Sequence, residues 1–389
     1  MRKTIVVAVV ALLVAACGRV PRTDARAGDQ ILYIAGGSTV TAIDATTRAA
    51  IAQLPQGVAS ADWKHYYTVT GEVLIDLNPL TAAPVRSLPL PGDYKLPVVT
   101  ATGATGGLSQ NGQYLVLQAA NDGASHLLVV DTSFTKTPLR IDDLKGDFQF
   151  DAVSIDGTRI YLIEHTGDGH YFVRDYVLGS GLDPTIIFDK SDGSLAMSGV
   201  RLMGVPAPAG DMLYSVYARK DRSAFIHQLF LDGPVAVCID LSGPGYDTDT
   251  RAMHWSLAIT PDGGRLFAIN ATLGVITEVH LNDNAPRTVP LDGGAMKSSA
   301  GAVMTPDGRR LIVAGTGIRW LDADTLRVTA TALASWNVIG LVNSADGKAI
   351  YAISDSGQVA ELDSAGHTIA TFDSATGHPE GLLGSAFFS

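Results

Sequence analysis

The residues with the chemistry to bind a metal are the nine histidines, His65, His126, His165, His170, His227, His254, His280, His367 and His378. They contain no HExxH pair. The shortest spacing is that of His165 and His170 at the ends of "HTGDGH" (165–170), where Glu164 and Asp168 could join them around an ion. A structural zinc site takes four ligands in a closed tetrahedron, and a solvated hairpin is the competing reading of this segment. "DKSDGS" (189–194) and "DTDT" (247–250) offer oxygen ligands to calcium, but neither has the twelve-residue order of an EF-hand with its terminal glutamate. No resident cofactor is expected, with a divalent ion such as calcium the one case left open. There is no G-x-S-x-G elbow for a nucleophilic serine. "TGATGG" (102–107) lacks the lysine of a phosphate loop. Cys238, in "AVCIDL" (236–241), reads as a buried inert thiol.

Two further sets belong to binding or to a central channel. "DWKHYY" (62–67) concentrates Trp63, His65, Tyr66 and Tyr67, and strand alternation would turn some of them outward as a contact patch. Asp151, His254 and Asn343 fall near the starts of three different repeats, where they could converge on an axis or simply line a solvent column. Trp255, Trp320 and Trp336 sit in apolar strands and are expected to pack.

A repeated hairpin must position these groups. "ITPDGGRLFAIN" (259–270) and "MTPDGRRLIVAG" (304–315) place a strand, a Pro-Asp-Gly turn, a basic residue and a second strand in one order. Looser copies are "LSQNGQYLVLQ" (108–118), "VSIDGTRIYLIE" (153–164) and "VNSADGKAIYAIS" (342–354). Glycine accepts positive φ and aspartate bonds back to its own backbone, so each Asp-Gly reverses the chain into an antiparallel partner. A third strand ending in aspartate and a fourth leading out complete four antiparallel strands.

The template divides the chain into eight units with turns near Asp62, Gly112, Gly157, Gly210, Gly263, Gly308 and Gly347, spaced roughly 40 to 55 residues as propeller blades are. The first unit lacks its first strand. The apolar "GLLGSAFFS" (381–389) is placed to supply it beside 31–35, closing a ring and removing exposed edges. The expectation is an all-β propeller of four-stranded blades, eight by unit count, or seven if the two short N-terminal units merge. Insertions at 91–107, 190–200 and 243–253 are where recognition is expected.

The hydrophobic content of 46% over 389 residues supports a large core, and the formal charge of −11 argues against nucleic acid as a partner. Arg2, Lys3 and the apolar "IVVAVVALLVAA" (5–16) read as a signal peptide over residues 1–16. "VAAC" (14–17) resembles the bacterial lipoprotein signal, which implies lipidation of Cys17, a tether over 17–28, and a single extracytoplasmic domain over 29–389 held to the membrane at the cell envelope. With Cys17 so used, Cys238 has no disulfide partner.

The Asp-Gly hairpins resemble the YVTN or WD40-like family of bacterial surface propellers, including its PD40-type and lactonase-like members, and the resemblance spans the chain from about Asp29. "GDFQFDAVSIDGTRIYLIEH" (146–165) and "FIHQLFLDGPVAVCIDL" (225–241) resemble the lipoproteins among them. No regular Trp-Asp ends the third strands, which departs from the WD40 pattern. Such families share a scaffold rather than a chemistry. Three roles remain: a scaffold binding a protein or envelope polymer, a lactonase-like hydrolase with a channel site, or an accessory subunit of an envelope complex.

Overall fold

The computed structural model describes residues 29–121, 123–187 and 196–387. The leader 1–16, Cys17, the tether to residue 28 and the "DKSDGS" stretch lie outside the described residues.

Each unit is built from strands apolar on both faces, because each is pressed between two neighbours. In the strand Arg265–Asn270, Leu266 and Ala268 face the preceding unit while Phe267 and Ile269 face the following one, and all four are fully buried. The outermost strand of the same unit, Ala285–Pro290, faces solvent and carries Pro286, Arg287 and Pro290, residues that discourage further pairing at a sheet edge.

Among the described residues the strands form seven hydrogen-bonded sheets, mainly four-stranded and antiparallel, and one sheet has six strands. The six-stranded sheet contains two repeat units. In the strand Arg310–Asp322 the residues flanking the two ends are hydrogen-bonded, Ala323 N to Arg309 O at 2.9 Å, so the segment doubles back on itself. The reversal falls at Thr316 and Gly317, where Gly317 has φ 80°. The strand Val328–Asn343 then serves both units, pairing with Ile318–Leu321 through residues 328–332 and with Ala349–Ser354 through residues 338–343. The sheet count is seven, the alternative the sequence left open, reached by merging the last two units rather than the first two.

Packing keeps the eight repeats distinct. Eight apolar clusters among the described residues each join one unit to the next around the ring. The last of them closes the circle: Leu32 and Ile34 of the first unit pack on Tyr351, Ile353 and Phe372 of the eighth. The strand Gly381–Phe387 pairs with Gln30–Gly36 in the register Leu32 with Ser385, so the C-terminal strand supplies the missing strand as expected.

The turn between first and second strands is more specific than Asp-Gly alone. A serine or threonine two residues before the aspartate or asparagine donates its hydroxyl to that side chain, at 2.6 Å for Thr260 to Asp262 and Thr305 to Asp307, and 2.7 Å for Ser154 to Asp156. The carboxylate accepts a backbone N–H two residues on, and the hydroxyl accepts another, as in Gly264 to Asp262 and Arg265 to Thr260. Ser60, Ser109 and Ser344 repeat the arrangement. In the fifth unit the turn 207–210 keeps only the glycine at positive φ, Gly210 at 76°.

Two inner strands fall short of the template. The second unit's is only Val58–Ala59, and the third's is a single bridge between Leu108 and Leu115. Both flank the 91–107 insertion.

Candidate functional site

Because the chain reverses at every strand, the ring has two unlike faces. The Asp-Gly turns joining first to second strands lie on one face. The connections from one unit to the next lie on the other, with the hairpins joining second to third strands. The insertions 91–107 and 243–253 are inter-unit connections on this second face, and the described residues 196–200 of the third lead into the next unit's inner strand from the same face. The 243–253 segment there contains one turn of 3-10 helix, Thr250–Met253, N-capped by Asp249. The described part of the 190–200 segment adds a short strand, Met197–Ser198, beside His170 and Tyr171.

The first insertion crosses the axial end of the inner strands. Its residues 97–106 form a hairpin, with Val98 bridged to Thr105 and Gly106 N donating to Pro97 O at 2.9 Å. It is anchored to four successive units: the Thr105 hydroxyl donates to Gly57 O at 2.8 Å, Lys95 pairs with Gln118, Gln149 Nε2 donates to Val98 O at 2.7 Å, and Ala101 N donates to Arg201 O at 2.8 Å. Beneath it, where the second unit's inner strand is truncated, lies a cavity of about 480 Å³ lined by Val58, Trp63, Thr105, Glu380 and Leu383 among others.

Trp63 occupies the turn position that is glycine in the other hairpins and is held at φ 54°, a conformation rarely adopted by an aromatic residue. Its ring stacks on Tyr33, centroids 3.8 Å apart and planes 8° apart. The other residues of "DWKHYY" do not join it on one exposed patch. Tyr66 and Tyr67 are buried and face opposite neighbours, Tyr66 toward the first unit and Tyr67 toward the third. Alternation sends neither outward because both faces of a blade are covered. His65 is half-exposed, with Nδ1 2.9 Å from Asp76, which also accepts from Arg86 at 2.6 Å.

The channel trio is not brought together. His254 precedes the inner strand Trp255–Ile259 on the insertion face, with Nδ1 3.2 Å from the Thr272 hydroxyl. Asn343 ends an inner strand on the turn face, donating to Met304 O at 2.8 Å. An inner strand of five or six residues separates those levels by roughly 17–20 Å. Asp151 sits at a β-bulge in the fourth unit's inner strand and pairs with Arg201 of the fifth, Oδ1 to Nη1 2.6 Å. A cavity of about 260 Å³ opens beside that pair, and it also holds Gln149, His165, Tyr171 and Tyr217.

The proposed metal ligands of the "HTGDGH" hairpin have separate partners. Glu164 accepts from Arg174 at 2.6 Å, His165 Nε2 lies 3.2 Å from Gln149 Oε1, and Asp168 is 3.2 Å from His170 Nδ1. Hydrogen bonds, first that from the Thr166 hydroxyl, hold the Asp168 carboxyl at about 2. Among the described residues no three His, Cys, Asp or Glu side chains are grouped to hold a metal. Cys238 is half-buried rather than buried, since its strand Ala236–Asp240 is the outermost of its unit. Trp255 and Trp320 pack between units as expected, and Trp336 lies against the same core as Trp320.

Arg201, Tyr171, Tyr217 and Glu380 were not singled out from the sequence. Arg201 meets Asp151 across fifty residues, so no local pattern marks it.

No protein-family model matches the chain, and no curated protein sequence matches it. Among solved structures it is similar to one described as dihydro-heme d1 dehydrogenase NirN in complex with DHE, at 16% identity and TM-score 0.59, over 95% of this chain and 78% of that one. It is also similar to apo AztD from Citrobacter koseri, at 10% identity and TM-score 0.60, over 94% of this chain and 99% of that one. At such identities these likenesses show the fold alone, an all-β propeller.

Proposed function

We propose that this protein is a lipid-anchored extracytoplasmic propeller, of the YVTN/WD40-like surface type, that works as a binding scaffold for a protein or polymer of the cell envelope. The observation that carries the reading is the asymmetry of the ring: short, recurrent hydroxyl–carboxylate turns on one face, and on the other irregular connections, with the 91–107 insertion bonded to four units over a 480 Å³ cavity. A rigid ring presenting irregular loops on one side is how scaffolds place recognition residues. Lipid on Cys17 would hold the ring at the membrane, with residues 18–28 giving it reach.

The test is affinity capture from a membrane extract, using the full chain and a variant whose residues 97–106 are replaced by a short Gly-Ser turn. Stoichiometric recovery of one partner by the wild type but not by the variant supports the reading. Equal recovery by both, or turnover of an ester or lactone panel by the wild type, overturns it. The anchor is tested separately by labelling with a palmitate analogue, which should mark the wild type and spare Cys17→Ala.

A further inference from the structure

The larger cavity, under the axial hairpin, combines apolar wall with a single charge. Val40, Val58, Trp63, Tyr66 and Leu383 supply the apolar wall, and Leu383 is 50% exposed although its strand closes the ring. Glu380 is the one charged residue among those that line the cavity. It directly precedes the closing strand, is exposed, and forms no ion pair among the described residues. Its amide donates to Ala35 O at 2.8 Å, which fixes the backbone at that point.

The wall is in place before anything binds. Trp63 stacks on Tyr33, and Gly384 leaves room for the indole, since a Cβ there would lie 2.5 Å from its Nε1. The Tyr66 hydroxyl donates to Pro55 O at 2.8 Å, and Thr105 ties the hairpin above to Gly57 O. A preformed wall loses little freedom on binding.

An unpaired carboxylate beside apolar surface complements a cation carried on an apolar stem and repels an anion. The chain's 39 acidic against 28 basic residues extend the same preference to longer range. Lysine and arginine side chains have this form, because they lay their methylene stems along apolar surface and keep the charged head in water. A volume of about 480 Å³ lies within the roughly 300–1,000 Å³ of sites that take a whole ligand, so it has room for a stem and part of its neighbours.

From this we infer that the cavity under the 97–106 hairpin is the docking site for a basic side chain of an extended protein segment, with the stem against Val58, Trp63 and Leu383 and the head at Glu380. The inference rests on the insertion face being the binding face and names the partner's chemistry: a protein presenting a lysine or arginine flanked by apolar residues.

The probes are acetylated, amidated pentapeptides with lysine, arginine, norleucine or glutamate at the centre and alanine, leucine or phenylalanine on both sides. They are titrated by calorimetry into the full chain and into Glu380→Gln and Leu383→Ser, with n-hexylamine as a free amine. Both substituted positions are exposed, so the variants should melt near the wild-type temperature. The expected result is saturable binding of a lysine or arginine peptide, with the norleucine and glutamate counterparts roughly tenfold weaker or worse. Glu380→Gln should weaken the basic peptides roughly tenfold, the size of one charge-assisted contact, and Leu383→Ser should weaken them severalfold. Raising salt from about 0.1 M to 1 M, which shortens the screening length from about 10 to 3 Å, should weaken binding to the wild type and leave Glu380→Gln little changed. Peptide selectivity and salt dependence are read on the wild type and do not rest on a variant's folding. Binding of no basic peptide, equal binding of the norleucine peptide, or unchanged affinity in either variant overturns the proposal. Hexylamine bound as tightly as the peptides would overturn it too, by assigning the cavity to a small amine. If Glu380→Gln recovers an envelope partner as fully as the wild type, this inference fails alone and the scaffold reading stands.

Discussion

The indole of Trp63 lies flat against the ring of Tyr33, 3.8 Å between centroids, although it reaches that position from a backbone at φ 54°. Glycine stands at this turn position in the other hairpins, so the side chain is gained at the expense of a strained backbone. The two effects separate by mutation. Trp63→Ala should lose the stack and keep the strain, whereas Trp63→Gly should lose the stack and relieve the strain. Urea denaturation should find both destabilised, by about 2–4 kcal/mol, with the glycine variant roughly 1 kcal/mol the more stable of the two. If glycine were the worse, the backbone account would be wrong.

The Asp151–Arg201 pair joins the inner strands of adjacent units at a bulge. Removing one partner strands the other charge in a buried place, so Asp151→Leu and Arg201→Met should each cost about 3–5 kcal/mol. The double variant should recover most of that loss, because the desolvation cost disappears with the second charge. A double-mutant cycle in denaturant measures the coupling. Additive single effects would mean that the pair is an incidental contact.

What could be read in the sequence divides along the range of the physics involved. The Asp-Gly reversals depend on four or five consecutive residues, so 259–270 and 304–315 announce their hairpins. The closing strand was legible because residues 381–387 repeat the apolar run that precedes each turn elsewhere. The merged sheet was not, since the connection between the last two units runs through the single strand Val328–Asn343 with no separate loop to show. Tyr66 and Tyr67 read as an alternating pair with one side outward, yet a blade has no outward broad face, and each ring enters a different core. At the candidate sites, Asp151, marked by its place in an inner strand, and His165, marked by the "HTGDGH" hairpin, line one cavity. Two further lining residues, Arg201 and Tyr217, come from the next unit and carry no local signal.

Ring closure rests on the pairing of Gly381–Phe387 with Gln30–Gly36. Deleting residues 381–389 leaves Gln30–Gly36 as an unpaired edge and uncovers the apolar contact of Leu32 and Ile34 with the eighth unit. An open edge of this kind recruits other chains. The truncated chain should unfold over a broad range in calorimetry and gain light scattering on concentration. A sharp transition and a monomer would show that the circle does not depend on this strand.

Acid stability should trace to the hydroxyl–aspartate turns. The carboxyls of Asp262, Asp307, Asp156 and Asp346 lie below their usual range, chiefly because the hydroxyls of Thr260, Thr305, Ser154 and Ser344 donate to them. A carboxyl whose folded pKa is depressed stabilises the fold above its unfolded value, near about 3.9, and that contribution fades as pH falls through the folded value. Thr260→Val and Thr305→Val remove the leading hydrogen bond, so the carboxyls return toward their ordinary range and each variant should be less stable than wild type at neutral pH. As pH falls from about 4, where unfolded carboxyls protonate, through the depressed folded values, the wild-type carboxylates protonate as well, and the carboxylate share of the difference should close. Denaturation at a series of pH values, followed by circular dichroism, reads this as two stability curves that converge in acid. A constant gap across the range would assign the loss to the hydroxyl's backbone hydrogen bond alone and remove the carboxylate from the argument.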